Sequence, residues 1–181
     1  MDVPTAETRA LDAAEDLFYR RGVHSVGMDD IRDSSGVSLK RLYQLFPNKE
    51  QLVTSYLRRR DRRWRAGLAE HVGRVEDPRE RLLSVFDWLH TWFTDPDFRG
   101  CAWINCFGEL SATSPAVAEE TRAHKEGFRL LLRDLAAAAG RDDELAEQLL
   151  LLADGAIVTA AITGDPAAAH RARAAADTLI G

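Results

Sequence analysis

The chain has 181 residues, of which 45% are hydrophobic and 29% charged, and its formal net charge is -5. These values exclude a disordered or collagen-like chain, and the length fits one compact domain or a small domain joined to a larger one. The acidic total argues against a uniformly basic surface for nucleic acid, but the first 75 residues carry a net +3 and the remaining residues -8.

Helical periodicity extends over almost the whole chain, and no alternating strand pattern of useful length occurs. The first helix is predicted at about residues 5–21, where an apolar stripe is followed by two arginines and Gly22. A second helix begins near Met28, with two aspartates in its first turn that complement the helix dipole, and ends at Ser35-Gly36.

Two capping residues mark the next helices. Ser38 is a suitable N-cap for a short third helix, which ends at Pro47. Asn48 caps a fourth helix, with Gln51 in the capping-box position. Apolar residues keep helical spacing from there to about residue 73, so the fourth helix is expected to be long.

Five further helices are expected after the break at Asp77-Pro78, separated by proline and glycine breakers. They are predicted at about residues 79–94, 100–112, 115–139, 142–163 and 166–180. The chain is therefore predicted to be all-α, with about nine helices.

The second and third helices, joined through Ser35-Gly36-Val37-Ser38, have the sequence form of a helix-turn-helix. Its apolar residues are expected to pack against the first helix: Ile31, Val37, Leu42 and Phe46. The other face of the third helix carries side chains of types that contact base edges and phosphates: Leu39, Lys40, Arg41, Tyr43 and Gln44. Many helical hairpins with a glycine bind nothing, so the pattern alone leaves DNA binding open.

The run from Met28 to Leu52 contains G-V-S-x(4)-Y-x-x-F-x-x-K-E and resembles the DNA-binding domain of the TetR (tetracycline-repressor-like) family. Residues 13–18 and Arg21-Gly22 are similar to that family's first helix and its exit, so the resemblance covers about residues 8–53. Beyond it, the chain matches in being helical and of suitable length, and the segment from Arg99 to Glu109 is similar to a ligand-domain helix of one subgroup.

The resemblance implies a homodimer that reads a palindromic operator in double-stranded DNA, with a C-terminal domain that binds a small effector and releases the DNA. It divides the chain into a helix-turn-helix domain at 1–53, including the start of the fourth helix, and an effector-binding and dimerisation domain at 54–181. By position, Ser38, Tyr43 and Lys49 are expected to contact phosphates. The residues expected to face bases are Leu39, Lys40, Arg41 and Gln44.

Three residues depart from the family pattern. Gly27 stands where the family often has Ser or Thr, which removes one phosphate contact, and Arg32 replaces a small residue and either contacts the DNA backbone or points to solvent. Lys40-Arg41 is bulkier than the common Gly-Thr, so the base preference of relatives does not transfer.

Six arginines between residues 58 and 65 are the densest charge in the chain. They form either a second DNA-facing patch or a solvated helix face with salt bridges into the acidic body. We favour the second interpretation, because these residues lie well past the DNA-proximal end of the fourth helix.

The predicted fifth and sixth helices are rich in aromatic residues, which in isolation indicate a core more often than a ligand site. The family resemblance favours an effector cavity for some of them, since such pockets are apolar with few polar groups. The predicted pocket residues are Trp88, Trp92, Trp103, Asn105, Phe107, His124 and Phe128. Other polar residues in apolar helical sequence are either pocket groups or satisfied core and interface groups: Asp87, His90, Glu109, Thr121 and Asp154.

No catalytic, metal or phosphate-loop pattern is present in the sequence, so no enzyme, metal or cofactor is expected. Cys101 and Cys106 are expected to be buried structural thiols. The N-terminus has no secretory signal, and the apolar run from Leu149 to Gly164 is too short to span a bilayer, so we expect a cytoplasmic protein without a membrane partner.

The predicted eighth helix is apolar nearly all round, and small residues of the ninth permit close helix approach. Helices 8 and 9 are therefore expected to form the homodimer surface, with an internal helix of a monomer as the alternative. The sequence as a whole predicts a transcriptional regulator, a repressor released by an apolar or aromatic small molecule. The alternatives are a DNA-binding dimer without an effector and a helical enzyme or carrier of hydrophobic ligands.

Overall fold

The computed structural model describes residues 2–181, and this part of the chain is all-α with nine helices. The helices are α1 (Val3–Arg21), α2 (Met28–Ser35), α3 (Leu39–Leu45), α4 (Lys49–Gly73), α5 (Pro78–Phe93), α6 (Ala102–Leu110), α7 (Pro115–Ala138), α8 (Asp143–Thr163) and α9 (Ala168–Ile180). The predicted fold class and helix order are confirmed. The largest shifts are at helix ends: α9 begins after Pro166 because the Asp165 carboxylate accepts from the Ala167 N–H in the preceding turn.

The chain forms two compact units, each built from two stretches of sequence. The first unit contains residues up to Asp61 together with Ala102–Arg122, and the second contains Arg62–Cys101 together with Ala123–Gly181. The division falls inside α4 and α7. α6 belongs to the same unit as the helix-turn-helix, and the division into functional domains after residue 53 stays a prediction.

In the first unit, α1, α2 and α3 share a small apolar core. Ile31 and Leu42 are fully buried, and Val37 and Phe46 are nearly so, which confirms the predicted core of the helix-turn-helix. The turn between α2 and α3 depends on Gly36, whose φ of 67° lies in the left-handed region. Its N–H donates to the Arg32 carbonyl at 2.8 Å and ends α2.

The predicted helix caps in this unit are present. The Ser38 hydroxyl accepts from the Arg41 N–H at 3.4 Å, and the Asn48 amide oxygen accepts from the Gln51 N–H at 2.9 Å. These two caps begin α3 and α4 and set the short connection between them.

In the second unit, α9 packs along α8 and α5. α8 has a buried side that includes Leu149, Ala153 and Ile157, whereas Leu151 is 74% and Ile162 is 79% exposed. Its hydrophobic residues therefore exceed what this unit covers.

Among the described residues, α8 is the one helix that is long and apolar enough to cross a membrane by length and composition. The helix has 21 residues because it begins at Asp143, six residues before the apolar run from Leu149 to Gly164 that was expected to be too short to span a bilayer. Of its apolar window 39% is buried, and Asp154 in its middle pairs with Lys125 at 2.5 Å.

Replacing Gly36 by Ala is expected to lower the free energy of unfolding by about 1 kcal/mol, because a Cβ is disfavoured in the left-handed conformation. The added Cβ would also lie 2.8 Å from the Arg9 guanidinium. Gly108→Ala is the matched control: no atom lies within 4 Å of its Cβ position in α6, so stability is expected to rise by up to about 1 kcal/mol. Urea denaturation of both variants tests this, and equal effects would contradict the role of the turn.

Candidate nucleic-acid interface

The face of α3 opposite the apolar core is open to solvent. Ser38, Lys40 and Gln44 are exposed, and Tyr43 is 48% exposed, an uncommon position for an aromatic side chain without a partner surface. Leu39 and Arg41 are half-buried at the edge of this face. The six residues therefore lie together on one short helix and its cap, where a major groove has room for a helix.

Two of these side chains bind each other. The Arg41 guanidinium donates to the Gln44 amide oxygen at 3.1 Å, as expected for residues three apart on a helix. Both groups are bidentate readers of purines, Arg of guanine and Gln of adenine. The bond joins the half-buried Arg41 to the exposed Gln44 on the same face of α3.

Lys49, at the start of α4, is half-buried and its ammonium donates to the Val23 carbonyl at 2.6 Å. Burial lowers the pKa of this ammonium, and the charges of Glu109 and Asp30 act in the opposite direction. An ammonium has three donors, so one bond to a carbonyl leaves two for other acceptors.

Glu109 of α6 holds the same short segment from the other side. Its carboxylate accepts from the N–H groups of Val23 and His24, at 3.1 and 2.8 Å, and its backbone carbonyl lies 2.9 Å from the His24 ring nitrogen. We call this arrangement, in which Glu109 and Lys49 bind the backbone of Val23 and His24, the 23–24 clamp. It joins α6 and the start of α4 to the connection between α1 and α2.

The start of α2 uses an acidic cap where the family pattern has a hydroxyl. Asp30 accepts from the Gly27 N–H at 2.7 Å, which lowers the pKa of this carboxyl, and it also pairs with Arg21 at 3.3 Å. Arg32 binds Asp29 and Asp33 on the same helix. Both departures are thus engaged inside the helix-turn-helix.

The arginine cluster of α4 is paired within the protein. Arg59 binds Asp12 at 2.6 Å and Glu15 at 3.2 Å, and Arg60 binds Glu15 at 2.7 Å. Arg60 also lies over the Tyr19 ring, 4.0 Å from its centroid. The salt-bridged interpretation fits these arginines: the partners of Arg59 and Arg60 lie on α1, and Arg58 binds Glu120 of α7, in the acidic C-terminal part.

Four of the predicted pocket residues come together in the second unit. Trp88, Trp92, His124 and Phe128 surround Trp64 of α4, with ring centroids 4.9 to 6.3 Å from that indole. We call these five residues the Trp64 cluster. Trp64 belongs to the apolar stripe of α4, and helical spacing alone does not show that four other rings gather around it.

The other three predicted pocket residues lie in the first unit, on α6. Trp103 is buried, whereas Asn105 is exposed and Phe107 is 41% exposed. Residues 105 and 107 therefore reach solvent in this structure, which is not typical of a closed apolar pocket.

The remaining polar residues singled out in the sequence are mostly engaged with neighbours. Arg173 binds Asp87 at 3.1 Å, and the His90 and His170 rings stack with centroids 4.0 Å apart. The Thr121 hydroxyl donates to the Val117 carbonyl at 3.0 Å. In the described part of the chain no three His, Cys, Asp or Glu side chains could hold a metal ion, and both cysteines are buried and outside disulfides.

Two family models match the chain. The model described as bacterial regulatory proteins, tetR family, matches residues 10–56, and the one described as tetracyclin repressor-like, C-terminal domain, matches residues 78–176. Together they cover the helix-turn-helix and most of the helices that follow.

Similar proteins agree with these matches. An HTH-type transcriptional regulator of Mycobacterium tuberculosis is 32% identical over 139 residues, which are 76% of this chain and 65% of that protein, so the chain spans less than two thirds of its length. The HTH-type transcriptional activator FasR of Mycolicibacterium smegmatis is 31% identical, covering 83% of this chain and 70% of FasR. A TetR-family transcriptional regulator from Streptomyces coelicolor has a similar crystal structure, with a TM-score of 0.89 and 29% identity over 97% of this chain and 88% of that one.

Replacing Glu109 by Ala is expected to lower the free energy of unfolding by about 1–2 kcal/mol, because two backbone N–H groups lose their acceptor. Glu119→Ala serves as the control, since that carboxylate is 73% exposed and pairs with Arg122 on its own helix; a change within about 0.5 kcal/mol is expected. Thermal or urea unfolding measures both, and an equally small effect of the two substitutions would exclude the clamp as a structural tie.

Proposed function

Because the chain belongs to the TetR family of bacterial regulatory proteins, we propose that it is a DNA-binding transcriptional regulator that binds a palindromic operator as a homodimer. The observation that carries the proposal is the exposed polar face of α3 behind a closed apolar core. A helix held in this way presents its side chains to a major groove without losing its own packing.

The proposed DNA contacts divide by chemistry. Ser38, Tyr43 and Lys49 bind phosphates, with the Lys49 ammonium keeping its bond to Val23 and using its other donors for the DNA. The side chains proposed to face bases are Leu39, Lys40, Arg41 and Gln44. In the complex, the hydrogen bond between Arg41 and Gln44 breaks, and each side chain forms hydrogen bonds with a purine edge instead.

The proposed dimer uses α8 and α9 of two copies. Its support is the exposed apolar surface on these helices: Leu151, Val158, Ile162 and Leu179. A groove of about 320 Å³ between α8 and α9 is lined mainly by small and apolar residues, among them Gly155, Ala168 and Ala172. In such a two-fold dimer, the two copies of α3 would face two operator half-sites about 34–36 Å apart.

We propose further that DNA binding is controlled by a small apolar or aromatic effector bound in the second unit, at Trp88, Trp92, His124 and Phe128. α4 is one continuous helix from Lys49 to Gly73 and carries Trp64, so it is the element through which binding would change the DNA affinity. The two affinities are then reciprocally coupled. For Trp103, Asn105 and Phe107 a role in effector binding stays a prediction.

The favoured sign of regulation is repression, relieved by the effector. FasR is a transcriptional activator, so the sign is tested directly by a reporter gene under the chain's own promoter region, with and without the regulator. Higher expression without the regulator supports repression, and lower expression supports activation.

Arg41→Ala is expected to relax base preference at one position of each half-site and to weaken operator binding by about 1–3 kcal/mol, because the bidentate donor is lost. Lys49→Gln is the contrasting variant: it is expected to weaken binding to all duplexes alike and to lower the slope of log K against log salt by about one. Titrations of operator and base-substituted duplexes over a salt series measure both effects. Unchanged selectivity in the Arg41 variant would exclude it as a base reader.

Replacing Leu151 and Ile162 together by Lys is expected to convert the dimer to a monomer and to abolish tight operator binding, because two charges enter the apolar dimer surface. Val3→Lys is the control, as Val3 is an exposed apolar residue on α1, at 49% exposure. Sedimentation velocity reports the mass. A monomeric parent protein would exclude the proposed dimer. A doubly substituted protein that stays dimeric would place the interface elsewhere.

A further inference from the structure

The indole N–H of Trp64 is buried and has no hydrogen-bond partner in the described part of the chain. The residue is 8% exposed. Buried Trp N–H groups usually find an acceptor, and a buried donor without one lowers stability. A polar atom is therefore kept unsatisfied in the interior of the second unit.

The groups around this donor are almost entirely rings. Trp64 makes edge-to-face contacts with Trp88 and Phe128, at centroid distances of 5.0 Å and interplanar angles of 89° and 81°. The His124 ring centroid lies 4.9 Å away. Contact of an N–H with an aromatic face is a weak substitute for a carbonyl or ether acceptor.

The cluster has a buried side and an outer side. Trp64, His124 and Phe128 are buried, whereas Trp88 and Trp92 of α5 are half-buried. Trp88 and Trp92 therefore form the side of the cluster from which a ligand would reach Trp64, and the three inner rings lie behind them on α4 and α7.

The charged neighbours of the cluster are already engaged. Arg65 donates to the carbonyls of Ala123 and His124, at 2.9 and 3.3 Å, and its guanidinium occupies the position that a side chain at residue 127 would take. Lys125 is paired with Asp154. A ligand among these rings thus meets aromatic faces and neutral ring N–H groups, of which that of Trp64 is buried without an acceptor, and such surroundings favour an uncharged ligand.

We propose that Trp64 Nε1 is the hydrogen-bond donor of the effector site and that the effector is an uncharged, largely apolar or aromatic molecule with a carbonyl or ether oxygen. The proposal rests on the effector-controlled function proposed above and names the chemical class of its ligand. The oxygen accepts from Trp64, and the apolar body lies against Trp88, Trp92 and Phe128. The ligand then bonds directly to α4.

The test uses benzophenone and diphenylmethane, which differ in one group, a carbonyl or a methylene. Calorimetric titration gives the ratio of their Kd values for the parent protein, for Trp64→Phe and for Trp92→Phe. The preference for the ketone is expected to fall about tenfold in Trp64→Phe, since a ring is kept and only the donor is lost. Trp92→Phe changes a neighbouring Trp in the same way and is expected to keep the preference.

A second measurement is made on the parent protein and does not depend on the folding of any Trp64 variant. The chain has four tryptophans, so a ¹⁵N-labelled sample gives four indole N–H signals, assigned with the Phe variants of the other three. Benzophenone is expected to shift the Trp64 signal to lower field, as a new hydrogen bond does, and diphenylmethane is not.

An unchanged preference in Trp64→Phe, the same indole shift with both probes, or no binding of either probe would overturn the proposal. Band-shift assays on the chain's own promoter DNA separate this failure from that of the proposed function. If the protein still binds DNA, any of those results rejects only the assigned donor and ligand class. If it does not bind DNA, the proposed function as a regulator is itself rejected.

Discussion

The arrangement of the first unit depends on the 23–24 clamp, in which two opposite charges bind the backbone of one dipeptide. The Glu109 carboxylate accepts from the N–H groups of Val23 and His24, and the Lys49 ammonium donates to the Val23 carbonyl. Charged partners make such bonds stronger than neutral ones. Because of this tie α6, which is distant in sequence, belongs to the same compact unit as the helix-turn-helix.

Charge in this unit is paired within the protein along α4 and sparse on the solvent-facing side of α3. Arg59 and Arg60 of α4 are paired with Asp12 and Glu15 of α1, and Arg58 is paired with Glu120 of α7, so these three basic side chains contribute to packing within the unit. The solvent-facing side of α3 carries few cations, the exposed Lys40 and the half-buried Arg41. We therefore propose that nonspecific affinity for DNA is modest and salt-dependent. Tight binding in this proposal requires the two helix-turn-helix units of a dimer on one operator.

The second unit combines stability with an unsatisfied polar atom. Five rings from α4, α5 and α7 bury a large apolar area, and their edge-to-face packing is favourable. Within them the Trp64 N–H lacks an acceptor. A buried donor without an acceptor lowers stability unless a ligand supplies one, which is why the donor is assigned to a ligand.

Local signals were enough to predict the helices, because caps such as Ser38 and Asn48 and breakers such as Pro78 act within a few residues of themselves. The motif from Gly36 to Glu50 was likewise sufficient to predict the family and the exposed face of α3. The clamp joins residues 85 and 86 positions apart, and the arginines of α4 found partners on α1, which no local pattern specifies. The centre of the aromatic cluster at Trp64, and the separation of Trp88 from Trp103 into different units, were decided only by tertiary packing, because helical spacing defines a face but not the helix that covers it.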